Sequence, residues 1–219
     1  MAMTRLGAVI FDMDGVLADT EPVHEEALRD FLAMRGGALT TADHDALVGL
    51  NSNDVWAKLI HQFGLHETIE ECQVGHQPIL VSRLVGLHAS PGVESLISQL
   101  RAGGIPMAVA SSSSRPVVEA TLASLALRGA FGAVVSGEDV TRGKPQPDIY
   151  LRAADLLGVA PGRCVAIEDS PHGVQAALRA GMACLGLATR YATAEQLGAT
   201  CTIRSLAEVG IVDLAALLG

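Results

Sequence analysis

The chain of 219 residues is poor in aromatic side chains and contains no long hydrophobic run. Aromatic residues make up 3% of the sequence and hydrophobic residues 49%, so we expect an aliphatic core. The mean hydropathy is +0.36, yet no apolar stretch approaches the roughly 20 residues of a membrane-spanning helix. We expect no export, because acidic residues interrupt the first apolar run just after Phe11. We therefore expect a cytoplasmic protein that does not bind membranes.

Paired cysteines and excess positive charge are lacking as well. The four cysteines are not spaced as metal ligands, and we expect all of them to be reduced. The formal net charge of -9 disfavours binding to nucleic acid. Lysine is nearly absent, since Lys58 and Lys144 are the only two in the sequence. The surroundings of each lysine are therefore informative.

The most informative segment is a short apolar run that ends in two carboxylates. Residues 8–11 have the pattern of a buried strand, and Asp12 and Asp14 follow it directly. Parallel sheets place their ligand sites at the carboxyl ends of such strands. One acid of the pair can act as a nucleophile while the other exchanges protons. An acidic turn without any chemistry is the alternative, because this short motif alone is weakly specific.

Further along the chain, short apolar runs alternate with amphipathic segments. The predicted strands cover residues 107–110, 133–135, 164–167 and 183–187, and the predicted helices cover residues 116–125, 148–157 and 172–180. Such alternation is typical of right-handed βαβ units that form a parallel sheet. Residues 22–88 interrupt it with helical periodicity alone, which indicates a helical insertion after the first strand.

Polar groups follow the later strands of the predicted sheet. Ser111 follows one strand, and the acids Glu168 and Asp169 follow another. Lys144 lies between glycine and proline just before a predicted helix, which favours an oriented ammonium group. Each of these residues has an ordinary structural explanation, such as a capping serine or a solvated lysine. Their convergence at one sheet edge favours a site that binds phosphate and Mg²⁺.

The motif set resembles the haloacid dehalogenase superfamily of phosphotransferases, and within it the β-phosphoglucomutase-like phosphatases. The resemblance spans essentially the whole chain and is carried by the Ser111 turn and by the segments IFDMDGVLADTEP, GKPQPDIY and IEDSPHGVQAA. It implies an α/β fold, with a Rossmann-like doubly wound parallel sheet core and an inserted all-helical cap domain. The implied boundaries are residues 1–18 and 90–219 for the core and 19–89 for the cap. The cap is expected to close over the site and to determine specificity.

The resemblance also implies the roles of the acids. Asp12 would attack phosphorus to form an aspartyl-phosphate, and Asp14 would protonate the leaving alcohol and then activate water. The implied cofactor is Mg²⁺, with metal ligands from Asp12, the Asp14 carbonyl and Asp169, and with Glu168 bound directly or through water. The implied substrate is a small-molecule phosphate ester, and a monomer is the default expectation.

The phosphate and cap contacts complete the implied site. The expected phosphate-binding residues are Ser111, Ser112 and Lys144. The expected substrate contacts in the cap are Glu21, His24, Gly49 and Asn51, the last two in a loop that matches the family's specificity loop.

Two other functions remain open from the sequence. A sugar phosphomutase of the β-phosphoglucomutase type needs a cation for the second phosphate of its substrate, and residues 49–54 contain none. Arg83 lies elsewhere in the predicted cap and could supply that charge. A noncatalytic phosphate-binding protein of the same fold is less consistent with an intact set of acids. We therefore expect a phosphatase that acts on a sugar phosphate or a nucleoside phosphate.

Overall fold

A computed structural model describes residues 6–47, 50 and 52–219, and its internal contacts divide it into two compact units. One unit contains residues 6–19 together with Leu87–Gly219, and the other is Thr20–Gly86. Within these described residues, every helix is too short or too polar to cross a lipid bilayer.

The larger unit contains a six-stranded sheet in which all strand pairs are parallel. The strands are β1 (Ala8–Phe11), β2 (Met107–Ala110), β3 (Ala133–Val135), β4 (Cys164–Glu168), β5 (Ala183–Leu187) and β6 (Cys201–Ile203). Their order is β3-β2-β1-β4-β5-β6, so the chain reverses its direction of winding at β1. This reversal is the usual place of a ligand site in a doubly wound sheet.

The strands form where the sequence has short apolar runs. Every residue of β1, β2, β3 and β4 is buried, as expected when helices cover both faces of a parallel sheet. The predicted α/β class and the doubly wound parallel sheet are confirmed. Two details differ: β4 extends one residue further, to Glu168, and β6 was not predicted. β6 is a three-residue edge strand whose residues are partly exposed, so it lacks the apolar pattern of the others.

Helices in the larger unit cover the sheet. They are α5 (Val93–Ala102), α6 (Arg115–Ser124), α7 (Asp148–Leu157), α8 (Pro171–Arg179), α9 (Ala194–Leu197) and α10 (Ile211–Ala216). Helix α7 packs against β1, β2 and β3, because it carries the chain back from the sheet edge towards β4. It ends at Gly158, whose φ of +67° suits a left-handed helix cap.

The smaller unit is helical throughout its regular elements. Its helices are α1 (Glu21–Ala33), α2 (Thr41–Asp45), α3 (Ser52–Phe63) and α4 (Ile69–Arg83). They enclose an apolar core around Phe31, Trp56 and Leu59. Thr40 and Thr68 begin α2 and α4 with capping boxes, in which each threonine accepts a backbone hydrogen bond at the helix start. Whether this unit acts as a cap over the sheet stays a prediction.

Candidate active site

Asp12 and Asp14 lie in the turn directly after β1, at the carboxyl edge of the sheet. The backbone N–H of Asp12 donates to the carbonyl of Ile167 at 2.9 Å, which extends the pairing of β1 with β4 by one residue. Gly15 then turns the chain with a φ of +79°. A Cβ at Gly15 would overlap the Asp169 carboxylate, so glycine lets the turn approach the acids that follow β4.

Lys144 is buried against the first acid. Its Nζ donates to Asp12 Oδ1 at 2.5 Å, to Glu168 Oε1 at 2.6 Å and to the backbone carbonyl of Ala110 at 3.1 Å. The side chain is only 7% exposed, so these three acceptors occupy the three protons of a desolvated ammonium. The structure thus brings the ends of β1, β2 and β4 together around one cation.

Glu168 is the last residue of β4 and has no exposed surface. Its Oε1 accepts hydrogen bonds from Lys144 and, at 2.7 Å, from the hydroxyl of Tyr150. Its Oε2 accepts from the backbone N–H groups of Asp169 and Ser170 and from the Ser170 hydroxyl, at 3.1 to 3.2 Å. The sequence analysis missed Tyr150, because a tyrosine in an apolar helix face is usually a core residue.

Asp14 faces hydroxyl groups. Ser113 Oγ donates to Asp14 Oδ2 at 3.0 Å, and Ser111 Oγ lies 3.4 Å from the same oxygen. Ser111 is fully buried and accepts from the Ser113 backbone N–H at 3.1 Å. The structure therefore brings Ser111 and Ser113 to Asp14, whereas the side chain of Ser112 is exposed. Ser113 was not predicted, since nothing in a run of four serines marks which of them turns inward.

The charges at the site are unbalanced. Burial, together with the Glu168 charge, raises the pKa of Asp12 to about 8. Burial and the charges of Asp12 and Glu168 raise the pKa of Asp169 to about 9. Burial alone would lower the pKa of Lys144, but its two carboxylate partners hold that pKa above its ordinary value. One ammonium does not neutralise this cluster of carboxylates, which leaves it suited to a further cation.

The oxygen atoms of the cluster fit a hard divalent cation. One carboxylate oxygen from each of Asp12, Glu168 and Asp169 lies within 4.8 Å of the others. Carboxylates are the ligands that Mg²⁺ prefers, and Mg²⁺ needs only one or two of them. Both Glu168 oxygens already accept hydrogen bonds, so we infer that Asp12 and Asp169 are the better candidates for direct ligands.

The predicted cap contacts belong to the helical unit. Glu21 begins α1, and its Oε1 lies 3.2 Å from Nε2 of the buried His44. His24 lies one turn further along α1. Burial, and to a lesser extent the charge of His24, lowers the pKa of His76. Gly49 and Asn51 lie outside the described residues. A substrate contact for any of these four residues remains a prediction.

Comparison with known proteins identifies the family. A model of the haloacid dehalogenase-like hydrolases matches residues 9–187, which includes Asp12, Ser111, Lys144 and Asp169. The chain belongs to the haloacid dehalogenase-like hydrolases. The predicted superfamily, of the β-phosphoglucomutase-like type, is thereby confirmed.

Three relatives of this haloacid dehalogenase-like hydrolase indicate its activity. Fructose-1-phosphate phosphatase YqaB of Escherichia coli (strain K12) is 36% identical over 81% of this chain and 94% of its own length. Hexitol phosphatase A of the same organism is 36% identical over 81% of either chain. A crystal structure of a variant of CbbY from Rhodobacter sphaeroides in complex with xylulose-(1,5)bisphosphate superposes with a TM-score of 0.85 and 29% identity, covering 95% of this chain and 99% of that one. The chain is a phosphoric monoester hydrolase, as predicted.

The raised pKa values of this hydrolase predict how its stability depends on pH without a divalent cation. Between pH 6.5 and 8.5 the folded protein retains protons on Asp12 and Asp169 that the unfolded chain has lost, since their ordinary pKa is 3.8. The free energy of unfolding should therefore fall as pH rises, by about 1.4 kcal/mol per pH unit for each retained proton, or roughly 2 kcal/mol per pH unit for the two carboxyl groups together. His76, with its pKa lowered to about 4 from 6.5, contributes the opposite slope, which is mostly confined to below about pH 7.

Thermal or urea unfolding in EDTA across this pH range measures the slope. Mg²⁺ binding to these carboxylates would displace the retained protons, and we then expect its stabilising effect to grow as pH rises. Asp169→Asn is the control, and it should flatten the slope. A melting temperature that stays constant from pH 6.5 to 8.5 in EDTA would show that these carboxylates ionise normally.

Proposed function

We propose that this protein is a Mg²⁺-dependent phosphatase that hydrolyses a sugar phosphate through an aspartyl-phosphate on Asp12. The observation that carries the proposal is the different surroundings of its two leading acids. Asp12 contacts the Lys144 ammonium, whereas Asp14 contacts the hydroxyls of Ser111 and Ser113. Two neighbouring acids in unlike environments are suited to two roles, one as nucleophile and one as proton carrier.

In the first step, an Asp12 carboxylate oxygen attacks phosphorus and the ester P–O bond breaks. Asp14 gives its proton to the leaving alcohol oxygen, so that a neutral alcohol departs and an acyl phosphate remains on Asp12. Lys144 holds Asp12 in place through its short hydrogen bond to Oδ1. Because Lys144 already donates to three protein acceptors, it can contact a phosphoryl oxygen only by sharing one of those protons.

In the second step, water replaces Asp12 on phosphorus. Asp14, now ionised, takes a proton from the attacking water, the bond between Asp12 and phosphorus breaks, and inorganic phosphate leaves. Ser111 and Ser113 keep Asp14 at the edge of the sheet during both proton transfers. When bound by Asp12, Asp169 and the Asp14 carbonyl, Mg²⁺ supplies positive charge against the phosphoryl oxygens.

The relatives favour a sugar-like leaving group. YqaB and hexitol phosphatase A are named for fructose 1-phosphate and hexitol substrates. The CbbY structure holds xylulose-(1,5)bisphosphate, a sugar with two phosphates. We propose that the helical unit caps the site and selects the substrate with Glu21, His24 and the loop of residues 49–54, which offers polar groups and no cation. A monophosphate suits such a loop better than a bisphosphate.

The surroundings of Arg83 support a phosphatase over a phosphomutase. Its guanidinium donates to Asp30 at 2.5 and 2.7 Å and to Glu26 at 2.6 Å, all within the helical unit. An arginine that is engaged with two carboxylates is less available to the second phosphate of a mutase substrate.

Phosphate release from a substrate panel tests the proposed function. The panel contains fructose 1-phosphate, a hexitol phosphate, glucose 1-phosphate, xylulose 1,5-bisphosphate and nucleoside monophosphates, each with Mg²⁺ or with EDTA. We expect Mg²⁺-dependent release that is fastest from sugar or hexitol monophosphates. Faster release from nucleotides or from the bisphosphate would contradict the proposed substrate, and isomerisation of glucose 1-phosphate without net release would show a mutase.

A further inference from the structure

Glu168 is held by five hydrogen-bond donors, and the residue itself has no exposed surface. Gly173 in α8 allows this, because a Cβ at that position would overlap the Glu168 carboxylate. Its Oε2 is fixed by the start of α8, so the carboxylate cannot rotate without breaking several of these bonds. Its Oε1 is therefore a fixed acceptor that faces Lys144.

Two carboxylates, those of Asp12 and Glu168, compete for the ammonium of Lys144. Asp12 Oδ1 and Glu168 Oε1 lie at nearly equal distances from Nζ, 2.5 and 2.6 Å. The position of Nζ therefore depends on how strongly each oxygen attracts it. Only the contact with Asp12 serves the reaction, since Asp12 is the proposed nucleophile.

Tyr150 contacts one of the two competing carboxylates, that of Glu168. Its hydroxyl donates to Glu168 Oε1 at 2.7 Å, the same oxygen that accepts from Lys144. The side chain is completely buried in α7, and its ring centroid lies 5.2 Å from the ammonium nitrogen. A second donor on Oε1 satisfies part of its charge, so the ammonium is attracted less strongly towards Glu168.

We propose that Tyr150 is a positioning residue that directs the Lys144 ammonium towards Asp12 by sharing Glu168 Oε1. The catalytic part of this inference rests on the proposed function, because it requires Asp12 to be the nucleophile. Of the five donors to Glu168, only Lys144 and Tyr150 donate to Oε1. Without the Tyr150 hydroxyl, Lys144 would be the one left at Oε1, and Nζ would move from Asp12 towards Glu168. A purely structural Tyr150 would fill the core and satisfy its own hydroxyl without any effect on Lys144.

The phenylalanine variant Tyr150→Phe tests the proposal with a direct probe of the ammonium. The chain has two lysines, so selective labelling with [¹³C,¹⁵N]lysine gives NMR signals from Lys144 and from the exposed Lys58. In the full-length protein, with and without Mg²⁺, we expect Tyr150→Phe to shift the Lys144 side-chain signals and to leave those of Lys58 in place. Unchanged Lys144 signals would overturn the proposal, whether or not the protein turns over a substrate.

Kinetics give the second readout. We expect Tyr150→Phe to lower kcat about tenfold, the scale on which outer partners of site residues act, while KM changes less than about twofold. The effect should fall on kcat because Lys144 contacts Asp12, the proposed nucleophile. The matched control is Tyr191→Phe, the same deletion at the only other tyrosine, and it should leave kcat and KM unchanged.

A double-mutant cycle separates positioning of Lys144 from any other effect. If Tyr150 acts through the ammonium, adding Tyr150→Phe to Lys144→Met should lower the residual kcat by less than about twofold. A full tenfold loss in that background would place the action of Tyr150 elsewhere and overturn the proposal. Because the NMR readout needs no turnover, it tests Tyr150 even if the proposed phosphatase activity fails.

Discussion

Replacing Asp12 with asparagine is expected to lower phosphatase turnover by at least about 10⁴-fold. The amide nitrogen and oxygen of asparagine are too weakly nucleophilic to attack phosphorus, and removing a covalent nucleophile usually costs this much or more. Phosphate release by Asp12→Asn, measured at saturating substrate and Mg²⁺, checks the expectation. Turnover above about 1% of the unmodified protein would show that Asp12 is not the nucleophile.

The same variant should be more stable than the unmodified protein when no divalent cation is present. Asp12 is 7% exposed and lies beside the Glu168 charge, which together with burial raises its pKa to about 8. Near pH 8 and above, the Asp12→Asn substitution would remove a charge that the folded state tolerates poorly, although it also weakens the ion pair with Lys144. In EDTA at pH 8.5 we therefore expect a higher melting temperature for Asp12→Asn. The effect of Mg²⁺ on stability should be smaller in the variant.

Asp19→Asn is the matched control for this substitution. Asp19 lies seven residues further along the same segment, is exposed, and has its Oδ2 3.7 Å from Arg190. An exposed ion pair contributes little to stability, so both turnover and melting temperature should stay near those of the unmodified protein. If Asp19→Asn lost as much turnover as Asp12→Asn, both losses would be explained by the changed net charge of the segment, and Asp12 would not be identified as the nucleophile.

Local sequence patterns were sufficient to predict five of the six strands and most of the polar residues at the carboxyl edge of the sheet. β1, β2 and β4 are short apolar runs, and each is followed or ended by a polar residue that the parallel arrangement brings to the same edge. β6 was missed because a partly exposed, three-residue edge strand carries no such pattern. The prediction was therefore strongest where burial on both faces leaves a continuous apolar segment.

The partners of the site residues could not be predicted from local patterns. The Lys144 ammonium bonds to Asp12, 132 positions away, and the chain between them includes the whole helical unit. Tyr150 has the pattern of a core aromatic, and only the packing of α7 against β1 and β2 brings its hydroxyl to Glu168. Pairings of this kind depend on the packing of distant elements, which helical or strand periodicity does not encode.

Replacing Lys144 with methionine is expected to affect both stability and turnover. Methionine keeps most of the side-chain volume but removes the charge, so buried Asp12 and Glu168 lose their shared cation. Breaking a buried ion pair in this way costs about 3–5 kcal/mol of unfolding free energy. Turnover should fall by about 10²- to 10³-fold, as when one preorganised donor is removed from an active site. Urea unfolding in EDTA and phosphate-release kinetics measure the two losses.

The loss of stability in Lys144→Met should depend on pH and on Mg²⁺ if its cause is the unbalanced negative charge of the buried carboxylates. At pH 6 the orphaned carboxylates can take up protons, so the stability difference from the unmodified protein should shrink. Mg²⁺ at pH 8 should stabilise Lys144→Met more than the unmodified protein, because a cation then replaces the missing charge.

Lys58→Met is the control for this substitution. Lys58 is exposed and donates to the Ala46 carbonyl at 3.0 Å, so its loss should change stability by less than about 0.5 kcal/mol. A stability difference that persisted unchanged at pH 6 and with Mg²⁺ would indicate lost packing around the lysine stem instead of unbalanced charge.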